Sequence, residues 1–254
     1  MRGRHSKFTT FGRNPIILAS IMKKLAILIT CLNILALHTS GQDQQIITVK
    51  AGTRAIDYFP QDAQYRYPEF IQGKVVFKDG TSTVTRLNYC ILVGEMQFLA
   101  SGDTMAVANE KTIRYVQIMK DTFFYDNGYL EVLAGKAPAI MAVKNYVKLK
   151  DIKKEGPMGT RSSTNSAQTY GGIYDIGVMD NFNLVQQEDM VLSKNTDYYI
   201  GNEQAGFTAY KKASLMKLLP QHKDDIENYL KQNNCDFKAK EDLLKLTAYL
   251  QNLQ

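Results

Sequence analysis

The stretch GKVVFKDGTSTVTRLNYCILVGEMQFL, residues 73–99, decides the fold that this sequence predicts. It contains three short apolar or alternating runs of the kind that form β-strands. These runs are residues 73–77, 84–93 and 95–99. Asp79-Gly80 separates the first two runs, and it favours a tight hairpin turn because both residues tolerate positive φ. The stretch therefore predicts consecutive antiparallel strands.

The same pattern continues as far as residue 133, with turn residues between the runs. The further runs are residues 104–108, 112–118, 122–125 and 129–133. No helical period of useful length interrupts them, which disfavours a parallel βαβ fold. We therefore expect a mainly β chain of the β-rich α+β class, with an antiparallel, curved meander sheet.

The second half of the expected β-rich domain, residues 42–210, is less regular. Residues 138–150 fit either a pair of strands or a short helix. Residues 151–172 are polar and rich in Gly, Ser and Thr, which predicts a long, mobile surface loop. Short strands are expected after it, around residues 174–178, 190–193, 198–201 and 207–210.

The hydrophobic period changes in the tail, residues 211–254. Ile226, Tyr229 and Leu230 recur at helical spacing, and acidic residues precede them where the helix dipole favours negative charge. The tail therefore predicts two or three amphipathic helices. Their apolar faces need a partner, and the simplest one is a face of the sheet.

The N-terminal segment, residues 1–41, has the pattern of an export leader. Met22-Lys-Lys precedes an apolar run at residues 25–37 and small residues after it, which indicates a signal peptide at 22–41. Cleavage is expected after Gly41, with Ser40 as the competing site. Residues 1–21 read as an upstream extension, or alternatively as a long basic n-region. We therefore expect a periplasmic or secreted protein. A lipid anchor at Cys31 is disfavoured because apolar sequence continues beyond it.

The net charge of +6 arises entirely from the residues of this leader. Residues 1–41 carry six bases and no acids, which leaves 25 bases and 25 acids in residues 42–254. A balanced body argues against nucleic-acid binding, which needs clustered positive charge. The apolar run of the leader is too short for a bilayer span, so no transmembrane segment is expected in the mature chain.

Residues 42–254 contain few groups for catalysis or metal binding. His222 is their single histidine, and we expect it on the surface. Ser214…Lys217 fits SxxK and Tyr146…Lys150 fits YxxxK, but the accompanying motifs of those enzyme classes are missing. The sequence therefore predicts no catalytic residue, no cofactor and no metal. Cys90 and Cys235 could form a disulfide, although Cys90 lies in an apolar run that favours a buried thiol.

Tyrosine is the one enriched residue type that suits a contact surface. All 15 tyrosines lie in residues 42–254, where there is no tryptophan. Their rings combine apolar area with a hydroxyl group, as glycan and protein contacts require. Cross-strand aromatic pairing in a half-exposed sheet is the alternative explanation. The expected contact surface comprises Tyr58, Tyr65, Tyr67 and Tyr198.

Two stretches resemble an uncharacterised family of exported Bacteroidota proteins. The first is LNYCILVGEMQFLASGDTMAVANEKTIRYVQI, residues 87–118, whose LNY, GEMQF and GDT elements carry the resemblance. The second is the helical ending, residues 215–250. The resemblance extends over about two thirds of the mature chain. It implies export and a β-sheet core with a helical tail, and it implies no reaction.

These features favour an exported, non-catalytic binding or structural protein of the bacterial envelope. The partner would be an envelope protein, a glycan or an amphiphile held in the curved sheet. The alternative is an envelope hydrolase that acts on glycans through two carboxylates, one of them with a raised pKa. A regulatory module coupled to an envelope sensor is a third hypothesis, and it requires a partner protein.

Overall fold

The computed structural model describes residues 46–155, 161–163 and 188–253. The chain divides into two units, Met1–Gln42 and Asp43–Gln254, and the description concerns the second. The expected leader, residues 1–41, and the expected strand around residues 174–178 lie outside the described residues.

Twelve strands are described, and they form one sheet. They are β1 (Ile46–Val49), β2 (Ile71–Phe77), β3 (Ser82–Cys90), β4 (Glu95–Ala100), β5 (Asp103–Ala106), β6 (Ile113–Ile118), β7 (Asp121–Tyr125), β8 (Tyr129–Ala134), β9 (Ile140–Glu155), β10 (Arg161–Ser163), β11 (Asp189–Asn202) and β12 (Gly206–Ala209).

Five α-helices are described, and two of them interrupt the Tyr-rich segment before β2. They are α1 (Ala55–Tyr58), α2 (Gln61–Gln64), α3 (Lys212–Leu218), α4 (Lys223–Asn233) and α5 (Lys240–Gln251). Single 3₁₀ turns lie at Glu110–Thr112 and Pro220–His222. None of the helices in the described ranges has both the length and the apolar character that a bilayer crossing needs.

Every described strand pair is antiparallel, which confirms the predicted fold class. The main strand order is β1-β11-β9-β8-β7-β6-β2-β3-β4-β5, with β10 on β9 and β12 on β11. Two meanders, β2 to β5 and β6 to β9, are thus joined side by side through β2 and β6. The turn predicted at Asp79-Gly80 connects β2 to β3, and Gly80 adopts a φ of 88° there.

The sheet curls strongly between β3 and β8. Tyr89 of β3 and Tyr129 of β8 are separated by three strands, a distance of about 19 Å in a flat sheet at the usual strand spacing. Their ring centroids are nevertheless 6.1 Å apart. The interior of this curl is filled by buried side chains from six strands and from the segment before β2. They are Tyr67, Val75, Leu87, Tyr89, Met96, Ile113, Val116, Ile118, Phe123 and Tyr129.

Strands β9 and β10 occupy part of residues 151–172, where the sequence predicts a loop. β9 continues to Glu155, and Arg161–Ser163 forms β10 against it, so the loop prediction is wrong for these residues. The remainder of that stretch, residues 156–160 and 164–172, lies outside the described residues. The ambiguous stretch 138–150 is largely strand, because β9 begins at Ile140 and pairs with β11 along its length.

The helical tail packs against the sheet, as its apolar period predicts. Leu243, Leu246 and Leu250 of α5 are fully buried in one cluster with Met141 of β9 and Ile200 of β11. Within this cluster the hydroxyl groups of Tyr210 and Thr247 share a hydrogen bond of 2.9 Å. The side chain of Gln251 binds the backbone of Lys136 and thereby ties the end of α5 to the β8–β9 connection.

Candidate functional site

A groove lies between the short helix α2 and the β9–β11 hairpin. Its volume is about 180 Å³, and one side is open to solvent. The lining residues are Asp62, Ala63, Ile91, Asn145, Tyr146, Lys194, Asn195 and Thr196. Six of these eight side chains carry polar groups, so a small ligand with hydrogen-bonding groups would find partners in the groove.

The strand register places part of this lining on one face of the sheet. Asn145 lies directly opposite Thr196, and residues two apart on a strand share a face, so Lys194 joins them. The hydroxyl of Thr196 donates to Asn145 Oδ1 at 2.9 Å, which fixes both side chains. Helix α2 covers the same face, because its Ala63 packs against the cluster that contains Val147.

The groove contains two charged side chains that do not pair with each other. Lys194 is half-buried on the sheet, and Asp62 is exposed on α2. Neither takes part in an ion pair or side-chain hydrogen bond with residues 46–155, 161–163 or 188–253. The groove therefore offers a positive and a negative group on different walls.

The four tyrosines of the expected contact surface lie in separate environments. Tyr58 is 47% exposed on α1, with its ring edge-on to Phe59. Tyr198 is half-buried and packs against the cluster beneath the C-terminal helices. Tyr58 therefore remains accessible, whereas Tyr198 contributes to the contact between sheet and tail.

Tyr65 and Tyr67 are held within the protein by their hydroxyl groups. Tyr65 donates to Gln97 Oε1 at 3.0 Å, and Tyr67, which is 6% exposed, donates to Asp121 at 2.8 Å. Burial, followed by the hydrogen bond to Asp121, raises the pKa of Tyr67. Tyr67 thus belongs to the buried interior of the curl, Tyr65 packs against a different apolar cluster, and the four tyrosines do not form one surface.

Arg66 lies between these two tyrosines and links the segment before β2 to the far side of the curl. Its guanidinium donates to both carboxylate oxygens of Glu131 on β8, at 2.9 and 2.8 Å. Asp121 of β7 is 3.5 Å from the same guanidinium. Glu131 is 8% exposed, so this two-point pair satisfies a buried carboxylate.

A second cluster of polar side chains, Glu95, Glu110 and Tyr125, acts through its charges on the hydroxyl of Tyr129. Tyr129 is 1% exposed, and its hydroxyl finds no hydrogen-bond partner among the described residues. Burial and then the charge of Glu110 raise the pKa of Tyr129. Burial is also the main cause that raises the pKa of Glu95, and the charge of Glu110 adds to it. The cluster thus contains two carboxylates, one of which is harder to ionise than an ordinary glutamate.

The motif matches found in the sequence do not assemble into catalytic groups. Ser214 donates its hydroxyl to the backbone oxygen of Ala209 at 2.7 Å, and Lys217 is exposed. Tyr146 donates to Asp197 at 2.9 Å. Each hydroxyl therefore has a structural partner.

His222 and the cysteines likewise have structural surroundings. His222 is half-buried rather than fully on the surface, and its Nδ1 lies 3.3 Å from Asp225. Cys90 and Cys235 are free thiols in different apolar clusters, so they do not form the disulfide that the sequence left open. Burial raises the pKa of each thiol to about 11, which disfavours a reactive thiolate.

Metal binding gains no support from the ranges that the structure covers. There, no three His, Cys, Asp or Glu side chains are grouped so that they could hold an ion. No family model, curated protein or solved structure matches the chain.

Sequence reasoning did not find the groove, Arg66 or the Glu95 cluster. Lys194 and Asp62 are 132 positions apart, and no motif marks either one. Only the pairing of β9 with β11 and the packing of α2 bring them to one groove. The partial burial of Lys194 in a strand would have marked it as unusual, but burial cannot be read from the sequence.

Proposed function

We propose that the chain is an exported protein of the bacterial envelope that binds a small polar ligand or a polar glycan end without transforming it. The observation that carries this proposal is the open groove of about 180 Å³ between α2 and the β9–β11 hairpin. Its lining includes hydrogen-bonding side chains and both signs of charge. The leader pattern and the resemblance to exported Bacteroidota proteins support the location.

The filled interior of the curled sheet argues against an amphiphile as the ligand. An amphiphile would need an apolar cavity, whereas ten buried side chains pack together inside the curl. Six of the eight side chains that line the half-open groove carry groups that can hydrogen-bond to a ligand. Of the partners expected from the sequence, a glycan therefore fits the described residues better than an amphiphile.

A carboxylate-dependent glycan hydrolase is the second candidate, and Glu95 is the observation that favours it. A glycosidase needs one carboxyl group that stays protonated near neutral pH and a second carboxylate nearby. Burial raises the pKa of Glu95, and Glu110 is close enough for its charge to raise that pKa further. Glu95 would be the general acid and Glu110 the base or nucleophile.

One experiment separates the two candidates. The full chain is incubated with glycans released from the envelope of the producing bacterium, and both bound glycan and new reducing ends are measured. The proposal expects no new reducing ends, and it expects that any glycan that binds does so saturably and is recovered unchanged. Reducing ends that the wild type releases, and that Glu95→Gln and Glu110→Gln each abolish, would overturn the binding proposal in favour of the hydrolase. Glu69→Gln, at an exposed position outside both sites, is the control.

A further inference from the structure

We infer that the groove between α2 and the β9–β11 hairpin takes a small zwitterion of the size of a single α-amino acid. This inference rests on the proposed binding function and specifies its ligand. The carboxylate of the ligand would face Lys194, and its ammonium group would face Asp62.

The first observation that supports a zwitterionic ligand is the arrangement of charged side chains in the groove. Lys194 is half-buried on the sheet and has no counter-ion in the described part of the chain. Asp62 lies on the opposing wall and does not reach Lys194 to form an ion pair. A ligand that carries both charges would give each group a partner at once, which an ion of one sign or a neutral sugar would not do.

Hydrogen-bonding groups next to Lys194 give the second support. Thr196 donates to Asn145 Oδ1, and this bond orients the amide of Asn145 on the same face as Lys194. The amide nitrogen of Asn145 has no partner among the described residues, so it remains available as a donor. A carboxylate accepts from two donors side by side, and Lys194 with Asn145 supplies such a pair.

The size of the groove gives the third support. The volume of the groove is about 180 Å³. Pockets for drug-sized ligands have volumes of roughly 300–1,000 Å³. The groove is therefore too small to enclose an oligosaccharide or a nucleotide, and it suits one amino acid with a short side chain.

The ligand chemistry can be tested on the full chain by NMR titration. Glycine, L-alanine and L-serine are compared with N-acetyl-L-alanine, which lacks the ammonium charge, and with L-alaninamide, which lacks the carboxylate. We expect saturable shifts of Asn145, Lys194 and Thr196 amides with the zwitterions, and affinities at least about tenfold weaker for both blocked derivatives. Equal binding of the blocked and unblocked forms, or no shift with any zwitterion at millimolar concentration, would overturn the inference.

Variants test the two assigned charges. Lys194→Met and Asp62→Asn should each weaken L-alanine binding by about tenfold or more, since each removes one ion pair with the ligand. Lys148→Met on the same hairpin and Asp103→Asn on β5 alter charges outside the groove lining and should leave binding unchanged. Loss of binding in the control variants to the same extent would contradict the assignment, and the blocked derivatives decide the matter even if a variant fails to fold.

Failure of this inference is distinguishable from failure of the proposed function. If N-acetylglucosamine shifts the groove amides and L-alanine does not, the zwitterion is wrong and the binding function stands. If the wild type releases reducing ends from envelope glycans, the binding function is wrong.

Discussion

Arg66 and Glu131, 65 residues apart in the chain, form a two-point ion pair at 2.9 and 2.8 Å. Arg66 belongs to the segment that adds to β3, because its backbone N–H donates to Tyr89 O at 2.9 Å. Glu131 lies on β8, four strands away along the sheet. The pair therefore connects two distant strands across the curl and holds its filled interior closed.

Removal of this pair should destabilise the fold. Arg66→Met leaves the carboxylate of Glu131 buried without its two-point partner, and we expect a loss of about 2 kcal/mol in the free energy of unfolding, measured by urea denaturation. Arg114→Met is the matched control, because Arg114 pairs with Glu203 where both side chains are largely exposed. That change should cost less than about 1 kcal/mol. Equal losses for the two variants would contradict the role of Arg66.

The hydroxyl of Tyr129 should be dispensable for stability. It is buried without a hydrogen-bond partner in the described residues, so Tyr129→Phe should leave the free energy of unfolding unchanged or raise it by up to about 1 kcal/mol. Tyr67→Phe removes a partly buried hydroxyl that donates to Asp121 and should lower stability by about 1–2 kcal/mol. The same denaturation experiment compares them, and a clear loss with Tyr129→Phe would show that its hydroxyl has a partner.

Glu95 should make stability depend on pH. Burial raises its pKa in the folded protein above the usual 4.5, so the folded state holds this proton more tightly than the unfolded state. Its contribution to stability is therefore most favourable at low pH and is lost as pH rises through the raised pKa. Glu95→Gln should thus gain stability relative to wild type at pH 7 and not at pH 4. Urea denaturation at both values checks this, and an identical difference at the two pH values would refute it.

Gly135 should be required where the sheet meets α5. It adopts a φ of 86°, and an added Cβ would lie 2.4 Å from Ala139 O and 3.0 Å from Thr247. We therefore expect Gly135→Ala to lower the melting temperature well beyond Gly52→Ala. Gly52 has a similar φ of 83° but open space around it, so its substitution costs only about 1 kcal/mol of backbone strain. Equal shifts for the two variants would mean that the close approach to Ala139 does not matter.

The local elements were predictable from sequence because their signals are local. Alternating runs and Asp79-Gly80 indicate strands and a hairpin without reference to the rest of the chain, and the period of Ile226 and Tyr229 indicates a helix. The exception is β9, where lysines alternate with apolar residues and the strand continues to Glu155 because β11 pairs with it. Its long-range partner, and not its own composition, extends that strand.

The candidate site could not be predicted for the same reason. Tyr65 and Tyr67 are of a residue type that suits a contact surface. Their hydroxyl groups instead donate hydrogen bonds within the protein, to Gln97 and Asp121. Lys194 and Asp62 carry ordinary surface charges in sequence, and only the packing of α2 on the hairpin places them in one groove. Such relationships depend on the curl and strand order, which hydrophobic patterns do not specify.

We propose that residues 42–254, exported and balanced in charge, perform the function. The most direct test determines the N-terminus and the location of the native protein by fractionation of the producing bacterium and mass spectrometry. We expect a chain that begins at Gln42, or at Gly41 if the competing site is cleaved, in the envelope or the medium. A cytosolic chain that still begins at Met1 or Met22 would contradict it.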